Sequence, residues 1–232
     1  MSRLRQLAKA ARQVATRRLR PVDARALTRA EPLSRRFAMD RGTPIDRYYI
    51  ERFLGRHAAS IQGDVMEIAG AQYARTFGQG VRSIAVLHAT PGNPEATLVG
   101  DLAAPETLPA ASVDCLICTQ TLNFIFDVTR AVDGIARLVR PGGVALVTVS
   151  GISQISRYDM ERWGDYWRFT DATLRRLFAD RFDATIEIHG NVAASVAFLD
   201  GIAVEDLPDR AILDRVDPDY QLTLGVVARR LP

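Results

Sequence analysis

Two polar residues, Thr119 and Gln120, follow an apolar run over residues 113–118. A helical pattern comes next, and Pro141-Gly142-Gly143 ends it just before a second apolar run. This order predicts a β-strand, a helix and a second, parallel β-strand. Because open α/β sheets bind ligands beyond the carboxyl ends of their strands, we expect the end of the first strand to border a binding site, with Gln120 lining it.

The segment after the second strand is rich in aromatic, arginine and aspartate side chains. Both tryptophans of the chain, two tyrosines and a phenylalanine lie between residues 158 and 169. Aromatic faces stack on sugar or aromatic rings, while neighbouring polar groups fix the orientation of a ligand. Two aromatic residues, Trp167 and Phe169, are assigned to the core. The residues predicted to contact a substrate are Arg157, Tyr158, Asp159 and Trp163.

The composition is that of a globular protein with one main domain. The chain has 232 residues, of which 47% are hydrophobic, enough for a sizeable core. No apolar run is long enough to span a membrane, and the N-terminus lacks the apolar region of a secretory signal, so we expect a cytoplasmic location.

Cys115 and Cys118 should point to opposite faces of one strand, which disfavours a disulfide or a shared metal, and no metal-ligand cluster is visible.

Positive charge is concentrated in residues 1–41. This segment has twelve Arg or Lys residues and three acidic ones, a balance of +9, which leaves −6 for the rest of a chain with net charge +3. Apolar residues at helical spacing before Pro21 predict an amphipathic helix that could lie on an anionic membrane surface, dock on a partner or contact nucleic acid. A solvated extension is the alternative. Nucleic acid is the least favoured partner, because no interleaved aromatic residues or nucleic-acid motif accompany the arginines.

The sequence Arg137-Leu138-Val139-Arg140-Pro141-Gly142-Gly143, between two strands, resembles a motif of class I S-adenosylmethionine-dependent methyltransferases. The ordered resemblance covers residues 43–230. It implies an α/β fold, a Rossmann-like three-layer αβα sandwich whose seven-stranded sheet is mostly parallel with an antiparallel last strand. The charge distribution predicts a basic N-terminal arm, residues 1–41, before the methyltransferase-like domain that the resemblance implies, residues 42–232. More narrowly, the chain resembles a subgroup associated with glycosyltransferases and polysaccharide biosynthesis.

The resemblance implies an S-adenosylmethionine site around the loop after the first strand. The family carries [DE]-x-G-x-G-x-G there, whereas this chain keeps the acidic residue as Glu67 and has Ala69, Ala71 and Tyr73 at the glycine positions. Glu67, Ala69 and Gly70 are therefore expected at the methionine end of the cofactor. Because a Cβ disfavours positive φ, we expect either a different loop path or a turn at Gly70.

Other strand ends complete the site that the resemblance implies. His88 replaces the family's ribose-binding carboxylate, and an imidazole can donate one hydrogen bond and accept another; simple capping of the strand is the alternative. Gly100-Asp101-Leu102 matches G-D-[LI], in which the aspartate accepts from the adenine amino group and the N–H of the next residue meets a ring nitrogen. Local backbone capping is the alternative for Asp101. A helix that can cover the pocket would present Asp46, Arg47 and Tyr48.

We interpret the chain as an S-adenosylmethionine-dependent methyltransferase that acts on an oxygen of a saccharide or another small molecule. The sulfonium is already activated, so the protein chiefly aligns the reactants and needs a base only for an unactivated hydroxyl. The candidate bases are His189 and Asp159. No Asn-Pro-Pro-Tyr-like signature follows the fourth strand, which disfavours amino-group acceptors.

Two other interpretations stay open. The first is a catalytically inactive adaptor with a methyltransferase fold, whose basic arm binds a glycosyltransferase or a membrane surface and makes the protein peripheral to the membrane. The altered glycine loop and His88 favour this interpretation, while Glu67 and Asp101 argue against it. The second is a nicotinamide oxidoreductase, which is disfavoured because the first loop lacks G-x-G-x-x-G and the second strand has no acidic end.

Overall fold

A single seven-stranded sheet organises the computed structural model, which describes residues 29–232. The strands are β1 (Gly63–Ile68), β2 (Val81–His88), β3 (Leu98–Val99), β4 (Val113–Thr119), β5 (Val139–Ser150), β6 (Phe182–His189) and β7 (Thr223–Arg230). Their order across the sheet is β3-β2-β1-β4-β5-β7-β6. The central strands are almost continuously apolar because helices cover both of their faces.

The last strand, β7, is antiparallel to its neighbours β5 and β6, and the other pairs are parallel. The start of β7 therefore lies at the edge where the other strands end. There Thr223 pairs with Ser150 of β5 on one side and with His189 of β6 on the other. The predicted Rossmann-like sandwich with an antiparallel last strand is confirmed.

Helices cover the sheet on both faces. They are α1 (Ile45–Arg56), α2 (Gln72–Phe77), α3 (Val128–Leu138), α4 (Arg157–Met160), α5 (Asp171–Phe178) and α6 (Val192–Asp200). Phe53 of α1 and Tyr73 of α2 pack on one face, and α3 and α5 pack on the other. Phe198 of α6 shares a cluster with Tyr49 of α1, so α6 packs beside α1.

Polar N-cap residues fix where several helices begin. Asp127 accepts the backbone N–H of Arg130 at 3.1 Å at the start of α3. Asn191 accepts the N–H of Ala194 at 3.0 Å at the start of α6. Such caps satisfy backbone donors that the first helical turn leaves without partners. The helix α3 starts nine positions after β4 ends, and α6 starts three positions after β6 ends.

The compact domain extends from Leu33 to Pro232. Leu33 donates its backbone N–H to the carbonyl of Asp200 at 2.7 Å, which ties the start of this unit to the end of α6. The predicted amphipathic helix of the basic arm lies outside the described residues.

The two cysteines are buried on opposite faces of β4, as their spacing predicts. Burial raises the pKa of both thiols to about 12. Across residues 29–232, no helix is long and apolar enough to cross a membrane. The same part of the chain has no group of three or more His, Cys, Asp or Glu residues that could hold a metal ion.

Candidate functional site

The carboxylate of Glu67, near the end of β1, is buried and joins this strand to α2. It accepts the backbone N–H groups of Tyr73 at 3.2 Å and Ala74 at 2.7 Å. Burial raises the pKa of Glu67 above its ordinary value, while the two N–H groups act in the opposite direction. Glu67 thus holds the start of α2 close to the loop that precedes it.

Ala69 makes the turn in this loop. Its φ is 69°, in the left-handed region, and its backbone N–H donates to the Leu87 carbonyl at 2.9 Å. Of the two alternatives expected for this loop, a turn at Gly70 is excluded, because Gly70 is not among the residues with positive φ. A Cβ on Gly70 would meet no atom within 4 Å, so the backbone there faces open space. The loop keeps a glycine-like path although an alanine occupies the strained position.

The loop after β2 supports the loop after β1 through Asn93. The sequence did not predict this role of Asn93. The Asn93 side-chain amide donates to the carbonyl of Ala69 at 2.8 Å, and its Oδ1 accepts the Glu95 N–H at 3.0 Å. Pro91, Gly92 and Pro94 indicate a turn at this position, but nothing in the sequence indicates which loop that turn contacts.

His88 ends β2 beside this turn. Its Nδ1 lies 2.7 Å from the carbonyl oxygen and 3.3 Å from the backbone nitrogen of Thr90. Both local contacts use Nδ1, so within residues 29–232 the Nε2 atom makes no hydrogen bond. The His88 and Trp163 rings meet edge to face with their centroids 5.8 Å apart. The structure therefore brings Trp163, which was predicted to contact the substrate, against His88, which was predicted to contact the cofactor.

Asp101 is exposed after β3 and uses one carboxylate oxygen locally, accepting the Ala103 N–H at 2.8 Å. Its other oxygen accepts no hydrogen bond from residues 29–232. The side chain of Leu102 is buried in the core. Gly134 of α3 allows this loop to approach, because a Cβ at that position would lie 2.2 Å from the Leu102 carbonyl oxygen.

Gln120, just after β4, combines a strained backbone with an unpaired donor. Its φ is 47°, and its backbone N–H donates to the Thr148 carbonyl at 2.8 Å. Ser150 donates its hydroxyl to Gln120 Oε1 at 2.7 Å. Gln120 Nε2 is buried without a hydrogen-bond partner among the described residues. A buried donor of this kind costs free energy unless a ligand or water accepts from it.

The aromatic segment after β5 is tied to the end of β4. The carbonyl of Asn123 accepts the N–H of Tyr166 at 2.9 Å, and Trp167 Nε1 donates to the Ile125 carbonyl at 3.1 Å. Trp167 is 36% exposed and packs against Phe126, so its assignment to the core is wrong. Phe169 is buried, as predicted.

Within this segment, α4 presents Arg157 and Tyr158 to solvent. The guanidinium of Arg162 lies 3.5 Å above the Tyr158 ring. Asp159 is half-buried, and one of its carboxylate oxygens accepts the Ser156 hydroxyl at 2.5 Å. Arg157 and Tyr158 are therefore accessible to a ligand. The side chain of Asp159 is held by Ser156, the N-cap of α4.

His189 and Tyr48 lie elsewhere. His189 ends β6, four strand positions from β1, which corresponds to about 19 Å. It is buried and stacks on Tyr49 with centroids 5.5 Å apart, and burial lowers its pKa to about 4. The Tyr48 hydroxyl donates to Asp214 at 3.1 Å. The structure therefore does not bring these two predicted residues to the loop that follows β1.

The start of α1, in contrast, does lie beside that loop. Arg47 donates to the Tyr73 hydroxyl at 3.2 Å. The neighbouring Asp46 is half-buried, and burial raises the pKa of its carboxyl to about 6. A carboxyl group that titrates near neutral pH next to a ligand-binding loop is a candidate functional group.

Comparison with known proteins agrees with this geometry. Residues 61–147 match a family model described as a methyltransferase domain. No curated protein matches the chain significantly.

Solved structures share the fold at low sequence identity. The N-methyltransferase NodS from Bradyrhizobium japonicum, in complex with S-adenosyl-L-homocysteine, has a TM-score of 0.51 and 14% identity over 82% of this chain and 89% of its own. An S-adenosylmethionine-dependent methyltransferase from Mesorhizobium loti has a TM-score of 0.51 and 17% identity over 80% and 98%. A chain of the Haloferax volcanii complex of the Trm112 methyltransferase activator with a methyltransferase has a TM-score of 0.52 and 18% identity over 80% and 91%.

The residues of the site fit the cofactor of such enzymes. The loop backbone at Gly70 is open on the side where a Cβ would project, and Gln120 Nε2 is a buried donor that lacks an acceptor within residues 29–232. Residues 61–147 thus match a methyltransferase-domain family, and the chain has the Rossmann-like fold of class I methyltransferases.

Proposed function

We propose that this protein transfers a methyl group from S-adenosylmethionine to a hydroxyl oxygen of a saccharide or another small molecule. The observation that carries the proposal is Ala69, which holds φ at 69° between the buried Glu67 and the start of α2. Retaining a strained turn without glycine is costly, and strain of this kind is found where function requires it.

Three strand ends would hold the cofactor. The open backbone around Gly70 would receive its methionine end, His88 Nε2 would accept a ribose O–H, and the free oxygen of Asp101 would accept from the adenine amino group. Bound S-adenosylmethionine supplies an activated methyl group, so that a C–O bond to the acceptor forms as the C–S bond breaks and the acceptor proton passes to a base.

The chain's own residues would align the acceptor and take its proton. The contact between the Trp163 and His88 rings supports a position of the aromatic segment at the border of the proposed cofactor site. Asp159 belongs to that segment and is our candidate base, with Asp46 at the start of α1 as a second carboxyl group beside the loop. The proposed role of His189 as base has less support, because its ring is buried under α1 at the far edge of the sheet.

The cellular context is also part of the proposal. We place the protein in the cytoplasm, in polysaccharide biosynthesis, with a glycosyltransferase or a membrane surface as a partner of residues 1–41. The motif resemblance and the charge balance of +9 in that segment support this placement.

Asp101→Ala tests the cofactor site. Loss of a charge-assisted hydrogen bond costs roughly 1.5–3 kcal/mol, so we expect the Kd for S-adenosylhomocysteine to rise by tenfold or more in calorimetric titration. Asp183→Ala, at an exposed carboxylate on β6, is the matched control and should bind like wild type. If folded wild-type protein, free of carried-over ligand, binds neither S-adenosylmethionine nor S-adenosylhomocysteine, the adaptor interpretation replaces this one.

A further inference from the structure

Three exposed aromatic side chains lie together where the loop after β4 meets the segment after β5. Phe126 is 70% exposed, Tyr166 49% and Trp167 36%. The Phe126 ring stacks on Trp167 with centroids 6.0 Å apart and meets Tyr166 edge to face at 5.3 Å. We call these three residues the aromatic platform. Large apolar side chains that are exposed as a group, rather than singly, mark binding surfaces.

Hydrogen bonds hold the aromatic platform in place. The backbone N–H groups of Tyr166 and Trp167 donate to the carbonyl of Asn123 at 2.9 and 3.3 Å. The indole Nε1 of Trp167 donates to the carbonyls of Ile125 at 3.1 Å and Phe126 at 3.2 Å. The indole nitrogen is therefore satisfied within the protein, and Trp167 offers a ligand only its apolar ring. Because these rings are already ordered, a ligand that stacks on them pays little additional entropy.

Gly164 allows the Tyr166 ring to take its position. The φ of Gly164 is 90°, and a Cβ there would lie 2.2 Å from Cζ and 2.3 Å from the hydroxyl oxygen of Tyr166. Within residues 29–232 the Tyr166 hydroxyl makes no hydrogen bond. The platform therefore combines apolar rings with one hydroxyl that can both donate and accept.

The charged groups closest to the aromatic platform in the sequence are used inside the protein. Arg168 contacts the two carboxylate oxygens of Asp165 at 2.6 and 2.9 Å and donates to the carbonyl of Gln154 at 2.6 Å. Asp127, which follows Phe126, caps the start of α3. These groups leave no unpaired charge that would select an ionic ligand, so the platform suits a neutral ring.

The aromatic platform lies at the same sheet edge as Gln120, because Asn123 connects the two. The side chain of Asn123 is buried, and its Oδ1 accepts the backbone N–H of Ser150 at 3.4 Å. The Ser150 hydroxyl in turn donates to Gln120 Oε1 at 2.7 Å. Since Phe126 follows Gln120 by six positions, their Cα atoms are at most about 20 Å apart.

We propose that the aromatic platform binds a pyranose ring of the methyl acceptor; this inference rests on the proposed function and deepens it. A pyranose has C–H groups on its ring faces and hydroxyls around its rim. The C–H face would stack on the exposed rings, and a rim hydroxyl would bond to the Tyr166 hydroxyl. A protein partner is disfavoured, because protein interfaces use about 20–30 residues on each side and the platform has three.

Phe126→Ala tests the inference, because this side chain is largely exposed and makes no hydrogen bond. We would measure saturation-transfer difference NMR with the methyl glycosides of glucose, galactose and mannose. Wild type should bind at least one of them, with the transfer concentrated on ring C–H protons. Phe126→Ala and Phe126→Leu should each weaken that binding about fivefold or more, whereas Phe126→Tyr keeps the ring and should bind like wild type. Val196→Ala, at a 55% exposed aliphatic residue of α6, is the matched control.

Each variant should keep the wild-type Tm, since substitutions at exposed positions cost little stability. The inference is overturned if none of the three glycosides receives transfer, or if Phe126→Ala binds as well as wild type. Full binding in Phe126→Leu would exclude stacking on an aromatic face. A change of oligomeric state in Phe126→Ala, measured by analytical ultracentrifugation, would identify the platform as a protein interface and would also overturn the inference.

Calorimetry of the same samples with S-adenosylhomocysteine separates the two proposals. Phe126→Ala should bind this compound like wild type, because none of the three platform residues is a proposed cofactor contact. Cofactor binding without glycoside binding removes only this inference, whereas glycoside binding without cofactor binding removes the proposed function.

Discussion

At the residue scale, Ala69 shows how a site can keep its backbone path while losing its usual residue. A Cβ in the left-handed region costs about 1–2 kcal/mol, which a glycine would avoid. The exposed methyl of Ala69 offsets none of this by packing. Glu67 identified this loop in the sequence, but the sequence did not show which residue of the loop has a positive φ. Alanine disfavours that conformation, so only the tertiary structure reveals that Ala69 adopts it.

Ala69→Gly should therefore stabilise the protein. The relief of strain exceeds the extra chain entropy of glycine, so we expect unfolding in urea to require about 0.5–1 kcal/mol more free energy, with S-adenosylhomocysteine affinity retained. Ala71→Gly is the matched control, since Ala71 has φ of −127° and is buried. That change should lower stability. A fall in stability for Ala69→Gly would show that the alanine is not strained.

At the element scale, α3 controls the position of the loop proposed to hold the adenine. Gly134→Ala would place a methyl group 2.2 Å from the Leu102 carbonyl oxygen. The helix or the loop must then shift, so we expect a loss of about 1–3 kcal/mol in stability and weaker cofactor binding, measured by denaturation and calorimetry. Thr129→Ala, at an exposed position of α3, should change neither. Unchanged cofactor affinity in Gly134→Ala would mean that the loop after β3 does not contact the cofactor.

The elements themselves were more predictable than the contacts between them. Apolar runs predicted β4, α3 and β5, because local periodicity determines such elements. The break at Pro141-Gly142-Gly143 was expected before β5, whereas β5 begins at Val139 and contains these residues. Long-range packing determines that Asn93 binds the carbonyl of Ala69 and that His189 lies far from the loop after β1. Such packing leaves no local pattern in the sequence. Trp167 was wrongly assigned to the core for the same reason. Its indole stacks on Phe126, which lies 41 positions earlier in the chain.

At the scale of the whole molecule, a charged cluster joins four strands at the edge opposite the proposed cofactor site. Arg82 and Arg140 each contact both Asp64 and Asp114 at 2.7–3.1 Å, which links β1, β2, β4 and β5. Hydrogen bonding to Arg82 holds the pKa of Asp64 below its ordinary value. The folded-state pKa is thus lower than the unfolded one, so this contribution to stability is present above the unfolded pKa and is lost as the pH falls.

Asp114→Asn should therefore lower Tm without changing cofactor affinity. The effect should shrink at high salt, because most of the cluster is exposed to solvent and screened. Asp183→Asn, at an exposed carboxylate outside the cluster, is the control for Tm measurements at low and high salt. A change in S-adenosylhomocysteine affinity in Asp114→Asn would show that the two edges of the sheet are coupled.

The antiparallel direction of β7 has a practical consequence for handling this protein. Because β7 enters the sheet at the cofactor edge with Thr223 and leaves it at the opposite edge with Arg230, any chain attached after Pro232 emerges on the side away from the proposed catalytic cleft. A fluorescent label, an affinity tag or a surface tether placed there would leave the cleft unobstructed. Immobilised binding assays with large glycan ligands can therefore be built on a C-terminal attachment.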